Sequence, residues 1–255
     1  MLQAAGQRDR LSGLRRHVER VEQSGAKRWP ALAFGVPELD ACLPRCGLQL
    51  GALHEVSEAG CAPEFAALSA LFTASIAGRL TGEVVWCLAR MDLFMPGLAA
   101  VGLAHHRVLF VETWHARDVL PAMEEALAHR GLAAVVGEVA RLSLTASRRL
   151  QLAAERTGAM ALAIRRCRSG QDRAADGEPT AAVTRWQVSP HPGTGPPSLG
   201  LPRAHWRLDL LRARGASAPH SFLVDAPDAA GRLRLSSDLG HRSREAPLLQ
   251  RARVG

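Results

Sequence analysis

The stretch Ser57-Glu58-Ala59-Gly60-Cys61-Ala62-Pro63-Glu64 is the place to look for chemistry. It joins a brief apolar strand, Leu53-His54-Glu55-Val56, to a helical run rich in Ala, Leu and Phe over Glu64 to Leu80. Strand, loop and helix in that order frame a phosphate-binding loop. Such a loop needs glycines so that backbone amides can point inward, a lysine for the outer phosphates, and a Ser or Thr hydroxyl for magnesium. Here Gly60 is the sole glycine, no lysine is present, and Pro63 removes a donor amide. Glu58 and Glu64 would face an anion, and at about 4 Å each pair of unit charges repels by on the order of 1 kcal/mol even in water. The loop is expected to reject phosphate. A second requirement is an acidic residue ending an apolar strand to hold the metal. The candidate strand ends Val135-Val136-Gly137-Glu138, so Gly137 stands at the aspartate position and Glu138 comes one step late. These substitutions imply no hydrolysis, hence no catalytic residue, no metal and no cofactor.

Other reactive residues have plainer readings. The adjacent His105 and His106 read as solvated loop residues, and Ser147 lacks the Gly-x-Ser-x-Gly elbow of a hydrolase. Five scattered cysteines (Cys42, Cys46, Cys61, Cys87, Cys167) show no paired short spacing, so they read as reduced thiols and not as a disulfide framework or zinc site. Trp86, Trp114, Trp186 and Trp206 could stack on bases, but three lie in or beside strands and suit core packing. Arg165, Arg166 and Arg168 at a strand end, and Arg242, Arg244, Arg251 and Arg253 in the tail, are candidates for contacts with DNA or a partner. Arg148 and Arg149 read as a solvated helix face.

Composition sets the class. The 255 residues carry a net charge of +8, almost all of the cations being arginine, and the isoelectric point is about 10.6. That balance suits phosphate or an acidic protein surface. Direct DNA binding stays open on charge alone, because the arginines are spread over the whole chain. Apolar residues make up 47% with no run long enough to cross a bilayer, and the N-terminus is too polar for a signal core, so a cytoplasmic protein without a membrane partner is expected.

The elements that must position these residues can be read from hydrophobic period. Leu11, Leu14, Val18 and Val21 form the stripe of an amphipathic helix within residues 1–28, suited to docking on a partner. Strands are predicted at Leu53-Val56, Glu83-Leu88, Arg107-Glu112, Ala133-Val139 and Met160-Ile164. Helices are predicted over Glu64-Leu80, Pro96-Val101, Ala116-His129 and Thr145-Thr157. This alternation implies an α/β fold with a mostly parallel sheet between helix layers. Beyond Arg168 the pattern changes to alternating apolar and polar residues around Trp186, Trp206, Phe222 and Leu233, predicting antiparallel strands that extend the same sheet. The core is placed at 29–236, with its parallel part to about residue 168 and its antiparallel extension over 183–236; an Arg-rich tail at 237–255 is expected to be disordered until bound.

Particular strings carry a resemblance. Gly35-Val36-Pro37-Glu38-Leu39-Asp40 followed by Gly47-Leu48-Gln49-Leu50-Gly51-Ala52 is similar to the approach to the ATPase core of RecA. Trp86-Cys87-Leu88 leading to Asp92-Leu93-Phe94-Met95-Pro96-Gly97-Leu98, then Met123-Glu124-Glu125-Ala126-Leu127, then Val136-Gly137-Glu138-Val139, then Leu144 to Glu155, with Trp186 ahead of Pro190 and Trp206-Arg207-Leu208, together resemble the ImuA family of damage-inducible mutagenesis proteins over residues 29–236. Laid on the RecA pattern, Ser57 and Ala62 replace the framing glycines, Pro63 the lysine and Glu64 the hydroxyl, while Arg90 sits near the catalytic glutamate. The resemblance implies a RecA-like core and an accessory role in SOS-induced translesion synthesis. Its implied partners are ImuB, an inactive Y-family-like protein, and through it an error-prone polymerase subunit and the sliding clamp, with RecA a further partner. A SulA-like inhibitor of cell division and a divergent ATPase are the alternatives.

Overall fold

The computed structural model describes residues 29–167, 178–191 and 204–236. Its core is a nine-stranded sheet flanked by helices, as the alternation predicts. The described elements, in chain order, are β1 (Ala31–Leu32), α1 (Pro37–Asp40), β2 (Leu48–Gln49), β3 (Leu53–Glu58), α2 (Pro63–Gly78), β4 (Glu83–Leu88), α3 (Met95–Ala100), β5 (Val108–Glu112), α4 (Val119–Ala128), β6 (Leu132–Val139), α5 (Leu144–Thr157), β7 (Met160–Arg165), β8 (Thr184–His191), β9 (His205–Ala213), β10 (His220–Asp225) and β11 (Arg234–Leu235). The strand order is β11-β10-β9-β8-β3-β7-β6-β4-β5. Six strands from β8 to β5 run parallel, and β9, β10 and β11 extend the sheet antiparallel from β8.

Parallel strands in the middle of the sheet are covered on both faces, and the two faces have separate cores. On the α2 face, Phe34, Phe72 and Trp186 meet with ring centroids 5.5 to 6.0 Å apart, beside the buried Val56, Trp86, Val136 and Ile164. On the opposite face, Val85, Val135, Ala161 and Ala163 pack beneath Met123 and Leu127 of α4 and Leu150 and Ala153 of α5. The strand residues alternate between the two sets, so the parity of a residue in its strand fixes the face it meets.

Helix ends follow local chemistry. Pro63 opens α2, where a missing amide hydrogen costs no helical bond. Ser143 caps α5 by accepting from Ala146 N at 3.2 Å, and Gly158 closes it at φ 89°, where a Cβ would also strike Trp29. The pairing of β1 with β2 was not anticipated. Among the described residues no helix is long and apolar enough to cross a membrane.

Candidate functional site

Four parallel strands end together, and there the chain gathers charge. β3 runs two residues further than its apolar core predicts, because Ser57 pairs with Arg165 of β7 and with Gln187 of β8 while Glu58 pairs with Val188. Ser57 and Glu58 therefore belong to the strand, and Pro63 and Glu64 to α2, which leaves Ala59-Gly60-Cys61-Ala62 as the loop. Glu58 and Glu138 share the parity of Val56 and Val136, so both carboxylates face the α2 side of the sheet. Arg166, one residue past β7, points the same way.

The guanidinium of Arg166 is the hub. Its Nε lies 2.7 Å from Glu58 Oε1, Nη2 donates to Asp92 Oδ2 at 3.2 Å, and Nη1 donates to Glu138 Oε2. The arginine side chain is 13% exposed against 3% for Glu58 and 2% for Glu138. Remaining acceptors are used as well: Trp86 Nε1 donates to Glu138 Oε1 at 3.0 Å and the Cys167 amide to Glu58 Oε2 at 2.7 Å. Burial pushes the Glu58 and Glu138 carboxyls above their ordinary range despite the arginine. Burial works against the Arg166 charge too, but Glu138, Asp92 and Glu58 outweigh it and raise its pKa. The network lies at the carboxyl ends of the strands, where open α/β sheets hold their ligands.

The sequence-predicted residues separate into groups. Glu58 and Glu138 come together. Gly137 does not join them, because its parity turns it to the other face, where a Cβ would lie 2.0 Å from Met123 Sδ. Close packing against α4 thus explains a glycine here. Arg165 is buried and Arg166 faces inward, so neither presents its guanidinium as a surface for DNA; carboxylates contributed by distant strands draw Arg166 in. Cys61 and Cys167 are joined as a disulfide, with Cα atoms 4.7 Å apart and a sequence separation of 106, which corrects the reading of isolated thiols. The bond ties the loop between β3 and α2 to the residue after Arg166. Trp86, Trp186 and Trp206 are buried, as core packing predicts, whereas Trp114 is 96% exposed. The predicted docking stripe Leu11, Leu14, Val18 and Val21, and Arg168, Arg242, Arg244, Arg251 and Arg253, lie outside the described residues. Among the described residues no cluster of three His, Cys, Asp or Glu side chains could hold a metal ion.

Asp92 and the hub role of Arg166 were missed by sequence reasoning. A strand-end parity that aims Glu58 and Glu138 at one point was the available signal that a buried cation must lie between them.

The comparison with known proteins decides the family. The chain is 38% identical over 210 residues, 78% of its length and 85% of the relative's, to Protein ImuA of Caulobacter vibrioides, in each of two strains (NA1000 / CB15N and ATCC 19089 / CIP 103742 / CB 15). The chain belongs to the ImuA family. No family model matches it. Membership of ImuA agrees with the damage-inducible mutagenesis theme that the residue strings implied, and the mostly parallel sheet with an antiparallel extension agrees with the predicted architecture.

Proposed function

We propose that this ImuA family member is a non-hydrolysing, RecA-like accessory protein of SOS-induced translesion DNA synthesis, working in the cytoplasm as an adaptor for ImuB and, through it, an error-prone polymerase subunit and the sliding clamp. The observation that carries the proposal is the internal ion network of Arg166 with Glu58, Glu138 and Asp92. A triphosphate would have to displace the arginine and then face three carboxylates. Each such pair of like charges costs at least on the order of 1 kcal/mol, and more as water is excluded. With no lysine and no Ser or Thr in Ala59 to Ala62, the loop offers little in return.

An adaptor needs an adhesive surface, and the rim beside the network supplies one. Phe94 is 73%, Leu109 63% and Trp114 96% exposed. The bond from Thr113 N to Leu88 O at 2.8 Å brings the loop after β5 beside the loop after β4, so Trp114 and Phe94 share one end of the sheet. Exposed large aromatics of this kind are enriched at protein interfaces. The test is twofold. The purified chain should release no phosphate from Mg-ATP, and it should bind purified ImuB with an affinity that Phe94→Ala plus Trp114→Ala lowers roughly tenfold or more with its melting temperature unchanged. ATP turnover abolished by Glu138→Gln would replace the adaptor with an ATPase; filamentation of overexpressing cells without any effect on induced mutation would replace it with a division inhibitor.

A further inference from the structure

A second concentration of charge lies on the opposite face of the sheet, near the starting ends of the parallel strands. Arg185 of β8 is nearly buried, with Nε 2.7 Å from Glu55 Oε2 and Nη2 donating to Glu178 O at 2.9 Å. Its register partner across the pair is Arg212 of β9, whose Nη1 donates to Thr180 O at 2.7 Å. Arg214, just past β9, donates to Ala181 O. Three guanidiniums thus close on carbonyls of one short segment, those of Glu178, Thr180 and Ala181. Burial, then the nearby Arg214 and Arg185, lower the pKa of Arg212, and Glu55 is the carboxylate that opposes them. Among the described residues neither Arg212 nor Arg214 has an ion-pair partner. Their carbonyl bonds fix the direction of each fork while leaving other N–H groups unused.

The same segment touches α5. The amide of Ala181 donates to Ser147 Oγ at 2.9 Å, so the turn of α5 that carries the exposed Arg148 borders the segment. Arg156 follows on the outer side of α5, eight residues on and about 12 Å along the axis at 1.5 Å per residue. Cations spaced this way call for an anion that repeats, not for one free ion. We propose that Arg212, Arg214 and Arg148, ranged around Glu178 to Ala181 between α5 and the β8–β9 pair, form a site for the phosphodiester backbone of single-stranded nucleic acid. Nucleic acid fits better than an acidic peptide because oriented guanidinium forks match phosphate oxygens, and because, among the described residues, Leu211 and Leu152 are the only large exposed apolar side chains on β9 and α5 that a peptide could use as anchors. The site goes beyond the adaptor proposal and stands without it.

The experiment is fluorescence anisotropy of the full chain with a labelled oligodeoxythymidine over a range of salt concentrations. Arg212→Gln plus Arg214→Gln should weaken binding roughly tenfold or more and flatten the slope of log affinity against log salt by about 1.4, the value for two lost single-strand phosphate contacts. Arg148→Gln, which removes no described hydrogen bond, should flatten it by about 0.7. The proposal fails if the wild-type chain does not bind, if these variants bind as the wild type does, or if Arg242, Arg244, Arg251 and Arg253→Gln causes the same loss, since diffuse charge would then explain the affinity. Polyglutamate binding that is sensitive to Arg212 while DNA binding is not would assign the site to an acidic polypeptide and also overturn it.

Discussion

Replacing Arg166 with Met removes the cation while keeping most of the side-chain volume. Two carboxylates that are 3% and 2% exposed then lose their common partner. Leaving a buried charge uncompensated typically costs about 3–5 kcal/mol, and at about 2–4 °C per kcal/mol for a domain of this size the melting temperature should fall by roughly 6–20 °C near neutral pH. The effect should depend on pH in a fixed direction. Glu58 and Glu138 are both raised by burial above their ordinary value of 4.5, so between that value and the raised one the folded state binds more protons than the unfolded chain. Stability from these groups is full below the ordinary value and is lost as pH climbs through the raised one. Without Arg166 the raised values move higher still, so the deficit of the variant should be largest at alkaline pH and shrink toward acid pH, where the carboxyls become neutral. Thermal denaturation of both proteins across the acid to alkaline range reads this directly, and adding Glu138→Gln to Arg166→Met should restore part of the loss. Equal melting temperatures throughout, or a deficit that grows toward acid, would refute the internal pairing.

Two further outcomes follow from particular contacts. Gly137→Ala should destabilise by about 1–3 kcal/mol through overpacking, because its Cβ would sit 2.0 Å from Met123 Sδ, and a second change of Met123→Ala should make the pair less costly than the sum of the two, as urea denaturation would show. For the cysteines, thiol titration of the unfolded chain should count three before reduction (Cys42, Cys46, Cys87) and five after, with peptide mapping joining Cys61 to Cys167. Reduction should destabilise by up to about 4–5 kcal/mol, given the long loop the bond closes. In the folded protein Cys87, whose thiol burial pushes up to about 12, should stay unalkylated.

The order of strands and helices was legible because apolar runs and turns carry local signals, and α5 was predicted to within a residue of where it forms. What lay beyond reach was pairing across distance. Arg165 and Arg166 read as surface cations because arginine usually is one, and nothing within ten residues says otherwise. The partners of Arg166 sit at positions 58, 92 and 138, and become neighbours only when β3, β4, β6 and β7 take their places in the sheet. The same gap explains Cys61 and Cys167, which have no recognisable spacing yet end adjacent strands. The strand, loop and helix around Ala59 to Ala62 were legible from local pattern; the arginine that pairs with Glu58 and Glu138 was not.

At the carboxyl ends of β3, β6 and β7 the carboxylates of Glu58 and Glu138, the guanidinium of Arg166, the indole N–H of Trp86 and the amide of Cys167 satisfy one another. Such a network leaves the buried charges at this end of the sheet paired within the chain. Under the proposed adaptor role, the chain acts through its surfaces. It has two of opposite character: an apolar rim at Phe94 and Trp114 beside the carboxyl ends of the strands, and arginines on the α5 face toward their starting ends. The two surfaces use different side chains, so a protein and a nucleic-acid strand could be held together without competing for them.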